Sequence, residues 1–380
     1  MAKKAYIGVG DKARKIKKGY IGVSNKARKI KKVYIGVGGK ARPCWSGGEL
    51  AYYGTATNLS VARDYLSATS VGNYALFAGG SSSKTVDAYS SALVRSTRTE
   101  LAQGRNNMGA TSVGNYAIFA GGGSSTYVTG LSNVDAYSSS LVRTTATSLS
   151  QARMSTVAAT VGGYALIAGG NSQINAVDTY NASLTKGTAT NLSCCRQEHA
   201  ATTVGDYALF AGGYQSSASN TMVATVDAYN SSLTRSTPTA MTRPRAYFDA
   251  TSVGNYALFG GGRTGSGVSL LNSVDAYNAS LARSTPTALN SAVNYIKATT
   301  VGDYALFGSG HTYSSSGYPS ANATMTAYDA SLVKSTPTAL SAGRYGAIAT
   351  TVGEYALFAG GRTSMSIGYE SAVVDAYTLV

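Results

Sequence analysis

The sequence predicts an all-β protein: a seven-bladed β-propeller preceded by a small basic β-meander. Three observations lead there. A decapeptide of the form VGNYALFAGG occurs seven times, at 71–80, 113–122, 161–170, 204–213, 253–262, 301–310 and 352–361. Its tyrosines, from Tyr74 to Tyr355, are 42 to 51 residues apart, the length of a four-stranded propeller blade. The charge is divided as well. Residues 1–45 carry 11 Lys, 3 Arg and one Asp, while the remaining 335 residues contribute only +2 of the total +15. A basic head (1–45) and a near-neutral body (46–380) therefore meet near Ser46-Gly47-Gly48.

The head is a triple repeat. Tyr6, Tyr20 and Tyr34 are spaced by 14 within AYIGVGDKARKIKK, GYIGVSNKARKIKK and VYIGVGGKARPCW. Each copy holds one turn pair, Gly10-Asp11, Ser24-Asn25 or Gly38-Gly39, of the kind that tolerates positive φ in tight hairpins. Strands between those turns would form a meander, with Ile16 and Tyr20 on one face and Ile21 and Val23 on the other. So little apolar surface calls for copies of itself or a larger assembly. A short helix over 12–18 is the rival, with Ile16 its one large apolar residue.

Each body unit reads as four strands. In the first copy, 68–71 is a short strand and Gly72-Asn73 turns the chain. The run 74–78 is apolar at consecutive positions, as suits a strand covered on both faces. Gly79-Gly80 permits close backbone approach. The VDAY strand at 86–89 and a fourth strand within 93–99 follow, and the unit ends in Leu-x-x-x-Arg, as at 101–105. The seventh copy stops three residues after VDAY, and 53–63 matches the fourth-strand segment 143–153. Residues 50–63 are therefore expected to complete the last blade by pairing with 374–377, which removes an open sheet edge.

The strand ending in a Gly pair, the downstream Tyr and the Arg that opens the next blade resemble the kelch repeat over about 46–380. The resemblance implies a β-propeller with a binding role and fixes no ligand. Kelch blades usually carry a Trp in the last strand, where this chain reads STPTAL or TTATSL, so the outer packing must differ. The head resembles short basic YIGVGGKAR repeats at the start of phage and prophage structural proteins, which implies an assembly anchor.

Comparing the seven copies separates the two rims. Turns after the first and third strands hardly vary, whereas loops between the Gly pair and VDAY run to 5, 11, 6, 12, 11, 14 and 12 residues. The four residues after each blade-opening Arg share nothing: DYLS, NNMG, MSTV, QEHA, AYFD, NYIK and YGAI. They place Tyr65, Leu66, Met108, His199, Tyr247, Phe248, Tyr295, Ile296 and Tyr345 on one rim, the expected ligand face.

Residues that look reactive fare less well. Asp87, Asp135, Asp178, Asp227, Asp275 and Asp375 recur at one position where copy six has Thr326. A catalytic carboxylate does not tolerate that change, so they read as structural. Arg63, Arg105, Arg153, Arg196, Arg245 and Arg344 recur with Val293 breaking the series, and read as blade contacts rather than an anion-binding ring. Cys194-Cys195 lacks the second pair of a zinc site and the third group of a nucleophile system. Copper chemistry of the galactose-oxidase type, known on kelch propellers, needs histidines that His199 and His311 do not supply. Three cysteines make no disulfide framework, and no apolar run reaches a membrane-spanning length.

The expectation is a non-enzymatic binding protein without metal or cofactor, made in the bacterial cytoplasm without a signal peptide and built into a virion or phage-like particle. Its head, through Tyr6, Lys12, Arg14, Tyr20, Arg28, Tyr34 and Arg42, is expected to oligomerise and dock to particle proteins. Its rim would bind a cell-surface glycan or protein, as a tail-associated receptor binder does in host attachment. The alternative is an intracellular kelch scaffold whose head binds nucleic acid.

Overall fold

The computed structural model describes residues 48–380 except 125–128, 172–173, 217–220, 266–268, 314–318, 365 and 367. In the head it describes the backbone of 6–9, 12–15, 19–23, 26–30, 32–37 and 40–46. Seven four-stranded antiparallel sheets form the body. In the first blade Ser67–Val71, Tyr74–Ala78, Val86–Ser90 and Arg95–Thr97 lie side by side in chain order. The first strands of successive blades touch in sequence, from Ser67–Val71 round to Ile348–Val352 and back, so they line a central channel. In the seventh blade the fourth strand is Leu50–Ala56, which pairs antiparallel with Val374–Leu379 and joins the two ends of the body.

The second strand is apolar on both faces because each face meets a different blade. Phe77 and Tyr89 pack against Leu357 and Val374 of the preceding blade, while Leu76 and Ala88 meet Phe119 and Tyr137 of the next. Seven such interfaces make up the core. A ring of buried tyrosines ties them together. The hydroxyls of Tyr89, Tyr137, Tyr180, Tyr229, Tyr277, Tyr328 and Tyr377 donate to the carbonyls of Thr57, Thr99, Thr147, Thr190, Thr239, Thr287 and Thr338, each just beyond the outer strand of the preceding blade. These bonds account for the outer packing without a Trp.

The recurrent Arg and Asp form one device inside each blade. Arg63 pairs with Asp87 at 2.8 Å, Arg105 with Asp135 at 2.6 Å, Arg153 with Asp178 at 2.8 Å and Arg245 with Asp275 at 2.8 Å; Arg196 with Asp227 and Arg344 with Asp375 complete six pairs. All twelve side chains are fully buried. Each Asp also accepts the backbone N–H of the connection that enters its blade, as from Ser150 at 3.1 Å. In blade six the device is exchanged as a unit: Val293 and Thr326 are both buried, and the Thr326 hydroxyl accepts the Asn290 N–H at 3.0 Å. Met325 stands where the other blades have Val, its sulfur filling the space a Cβ at Gly308 would need. In the seventh blade, the outer-strand place of Arg95 or Arg143 goes to Tyr52, whose hydroxyl bonds Asp375 at 2.6 Å.

The head corrects the meander. Tyr6–Val9 pairs with Lys12–Lys15, Gly19–Val23 with Lys26–Ile30, and Lys32–Val37 with Lys40–Ser46, as three separate two-stranded sheets. One turn pair per 14 residues supplies one hairpin per copy and no second tight corner before the next. The strand Lys12–Lys15 also replaces the rival helix. All three hairpins share a register, with Arg14, Arg28 and Arg42 opposite Ile7, Ile21 and Ile35. The turn pairs, Ile16 and the side chains of Tyr6, Lys12, Arg14, Tyr20, Arg28, Tyr34 and Arg42 lie outside the described residues.

Arg153→Met, which leaves Asp178 buried and unpaired, is expected to cost about 3–5 kcal/mol in a denaturant melt. The double change Arg153→Val with Asp178→Thr copies blade six and should recover most of that loss. At the closure, Tyr52→Phe should cost about 1.5–3 kcal/mol, the worth of a hydrogen bond to a charged group. Removing residues 1–57 should lower the melting temperature far more than removing 1–47.

Candidate functional site: the loop-bearing channel mouth

The buried Arg places the four variable residues after it over the channel. The second of the four has left-handed φ in all seven connections: Tyr65 (52°), Asn107 (51°), Ser155 (54°), Glu198 (53°), Tyr247 (57°), Tyr295 (51°) and Gly346 (64°). Such φ values cost non-glycine residues of order 1 kcal/mol or more each. Blade-to-blade backbone bonds offset that cost. Tyr65 N–H donates to Gly346 O at 2.7 Å, Asn107 to Tyr65 at 3.1 Å, Ser155 to Asn107 at 3.0 Å, Tyr247 to Glu198 at 3.1 Å and Tyr295 to Tyr247 at 2.7 Å. These five links use main-chain atoms, whereas between Ser155 and Glu198 the Ser155 hydroxyl donates to the Glu198 carboxyl at 2.7 Å.

The third residue of each four points inward. Leu66, Met108, His199, Phe248 and Ile296 are each 5% exposed or less. They wedge against the glycine pair of the preceding blade; a Cβ on Gly79 would come within 2.7 Å of the Met108 methyl. These five side chains are therefore packing residues with little exposure, although each also lines the cavity beneath the mouth. The cause is the one-residue alternation that sends neighbours to opposite sides. Tyr345 is buried too and donates its hydroxyl to Ser364 O at 2.9 Å. Tyr65, Tyr247 and Tyr295 remain half-exposed at the mouth.

The first residue of each four bridges, backbone to backbone, to the residue after its own blade's glycine pair: Gln197 to Tyr214, Ala246 to Arg263, Asn294 to His311 and Tyr345 to Arg362. These partners assemble a bank over blades four to seven. Tyr247 and Tyr295 lie 4.5 Å apart between ring centroids, with His311 5.6 Å beyond Tyr295 and the Arg263 guanidinium 4.8 Å over Tyr247. Tyr214 stands edge-on to Tyr247 at 5.3 Å, and its hydroxyl accepts a bond from Arg263. Tyr65 is edge-on to Tyr295 at 6.1 Å, under Arg362, which pairs with Asp64 at 2.5 Å and Glu370 at 3.2 Å.

Beneath the mouth is a cavity of about 230 Å³, lined among others by Asn107, Ser155, Glu198, Tyr247, Asp249, Tyr295 and Lys297. Burial pushes the Glu198 carboxyl up, opposed by a 2.7 Å bond from the Ser155 hydroxyl and by Lys297 and Arg263. Burial likewise raises Asp249, which accepts the N–H groups of Ala250 and Ala298 at 2.9 Å each. The reading of the sequence found no polar constellation here. Glu198, Asp249 and Lys297 lay in QEHA, AYFD and NYIK, and Arg263 and Tyr214 in loops with no register to place them. Cys194 and Cys195 are half-buried, with the Cys195 thiol 3.4 Å from Gln215 O. Neither ring nitrogen of His199 has a hydrogen-bond partner among the described residues, so no Cys–His pair forms.

No protein-family model matches the chain, and no curated protein matches it. Solved structures do. One, described as the structure of YjhT, covers 85% of this chain and 99% of its own, with a TM-score of 0.58 at 11% identity. That likeness shows the fold alone: an all-β, seven-bladed β-propeller.

His199 gives the site a pH signature. Burial, reinforced by Arg196 and Arg153, holds its imidazole well below 6.5. The unfolded chain takes up a proton as pH falls through about 6.5 while the folded chain does not, so stability drops on the acid side. His311, lowered to about 4 by burial and Arg263, acts in the same direction. His199→Met, a residue that blade two already uses there, should lose about 2 kcal/mol less between pH 7.5 and 5 in paired thermal melts.

Proposed function

We propose that the chain is a non-enzymatic binding component of a phage or phage-like particle, anchored through its basic head and displaying the loop-bearing rim to a cell-surface target. The observation that carries this reading is the polarity of the body. The chain enters it at Glu49, whose N–H and carbonyl both bond Val380 at 3.0 Å, on the rim of invariant turns. The variable loops and the aromatic bank occupy the opposite rim. A protein anchored at one end and recognising at the other needs this arrangement. Among the described residues each strand of the three basic hairpins has one partner, which leaves edges for neighbouring copies or particle proteins to pair with.

The full chain is expected to oligomerise through residues 1–47 and to adhere to its host cells. Removing 1–47 should release a monomeric propeller with an unchanged melting temperature, read by sedimentation. Tyr247→Ala with Tyr295→Ala should reduce adherence at least about tenfold, as loss of aromatic anchors does. Tight DNA or RNA binding by the full chain that falls steeply with salt, without oligomer formation, would replace the anchor with a nucleic-acid role.

A further inference from the structure

We infer that the channel mouth takes a neutral saccharide unit. This rests on the rim being the binding face and narrows that reading to a ligand class. The mouth has three kinds of surface. One bank is the column of Arg263, Tyr247, Tyr295 and His311, of which Tyr247 and Tyr295 line the cavity. The Tyr247 hydroxyl is within reach of those of Tyr214 and Tyr295; Tyr247 and Tyr295 line the cavity, and Tyr214 is buried. The same cavity is lined by Asn107, Ser155 and Glu198, the last bonded through its carbonyl to the Tyr247 N–H. The channel wall below is apolar and small: Ala68, Ala110, Ala158, Ala201, Ala298 and Ala349.

A sugar ring divides its surface in the same way, with hydroxyls round its edge and C–H groups on its faces. Phenol hydroxyls donate and accept, so a row of them serves a polyol whichever way its hydroxyls point. The column holds the phenols rigid before the ligand arrives, which lowers the ordering cost of binding. At about 230 Å³ the cavity is smaller than the roughly 300–1,000 Å³ of sites for drug-sized ligands, and so suits a single ring at the end of a chain.

The charges decide between neutral and acidic sugars. Arg362 is held by Asp64 and Glu370. Arg263 lies between Tyr214 and Tyr247 and donates to the Tyr214 hydroxyl. Lys297 shares the cavity with two carboxyls, Glu198 and Asp249. An acidic group entering the mouth meets those two carboxyls, which match Lys297 and Arg263 in number. A cationic ligand meets Lys297 and Arg263. A neutral polyol meets neither penalty.

The test presents the full chain with immobilised oligosaccharides ending in glucose, galactose, mannose or N-acetylglucosamine, and with the same cores capped by a uronic acid or a sulfate. Binding to at least one neutral probe is expected, about tenfold or more weaker when the probe is acid-capped. Tyr247→Phe with Tyr295→Phe removes only hydroxyls. It should weaken binding about tenfold with the melting temperature unchanged. Preference for an acid-capped probe, affinity unchanged in the Phe variant, or no neutral probe bound at millimolar concentration overturns the inference. If an acid-capped probe binds and the Phe variant loses it, the rim remains the binding face and only the ligand class is wrong. If cells are bound and neither the Ala nor the Phe pair alters adherence, the reading of the rim itself falls.

Discussion

A carboxylate withdrawn from water has to be met by charge and hydrogen bonds, and six blades solve that problem in one way. The Asp of the third strand lies at zero exposure, taking a guanidinium from the connection that opens its blade and a backbone N–H from the same connection. The pair therefore clamps the entering chain across the second strand, where Arg63, Arg105 and Arg153 also donate to the carbonyls of Phe77, Phe119 and Ile167. With the Arg fixed, the next four residues emerge over the channel at a set height. Blade six shows that the clamp, rather than the charge, is what matters. Val293 and Thr326 keep the geometry with apolar contact and one neutral hydrogen bond, as expected where a buried ion pair and a well-packed neutral pair are near equal in free energy.

From that clamp follows a division of labour among atoms of the same residues. Backbone N–H and C=O groups supply five links of the belt round the mouth, third-position side chains fill the gaps between blades, and second-position side chains contact one another above the cavity. At this last place the chain collects Tyr65, Glu198, Tyr247 and Tyr295. The partner layer after the glycine pairs is uneven. Ser81, Gly123 and Asn171 are small in blades one to three, while Tyr214, Arg263, His311 and Arg362 are large in blades four to seven. The mouth is thus low on one side and walled on the other, so recognition is offset from the axis of a nearly sevenfold scaffold.

Much of this was legible in the sequence, and the reason is repetition. Seven copies of the decapeptide expose the period, the strand ends and the glycine turns. The spare strand before the first blade was visible because the seventh copy lacks one. What repetition hid was side-chain direction within the variable four. Since the four residues share nothing between copies, no pattern separated Tyr247, at the mouth, from Phe248, wedged between blades. The matched exchange at Val293 and Thr326 was present as two separate irregularities, joined only once the third strand and the entering connection were seen in contact. The head misled because a 14-residue period fits one long strand or two short ones equally well.

The central claim is that Tyr65, Glu198, Tyr247 and Tyr295 serve recognition through their side chains and the fold chiefly through their backbones. Thermal unfolding of a chain with Tyr65, Glu198, Tyr247 and Tyr295 all replaced by Asn tests it most directly. Asn accepts left-handed φ and leaves the belt's N–H and carbonyl groups in place. The account predicts a cooperative transition within a few degrees of the unaltered chain. Loss of cooperativity, or a fall in melting temperature comparable to that of breaking an Arg–Asp clamp, would show that those side chains hold the ring together and would contradict it.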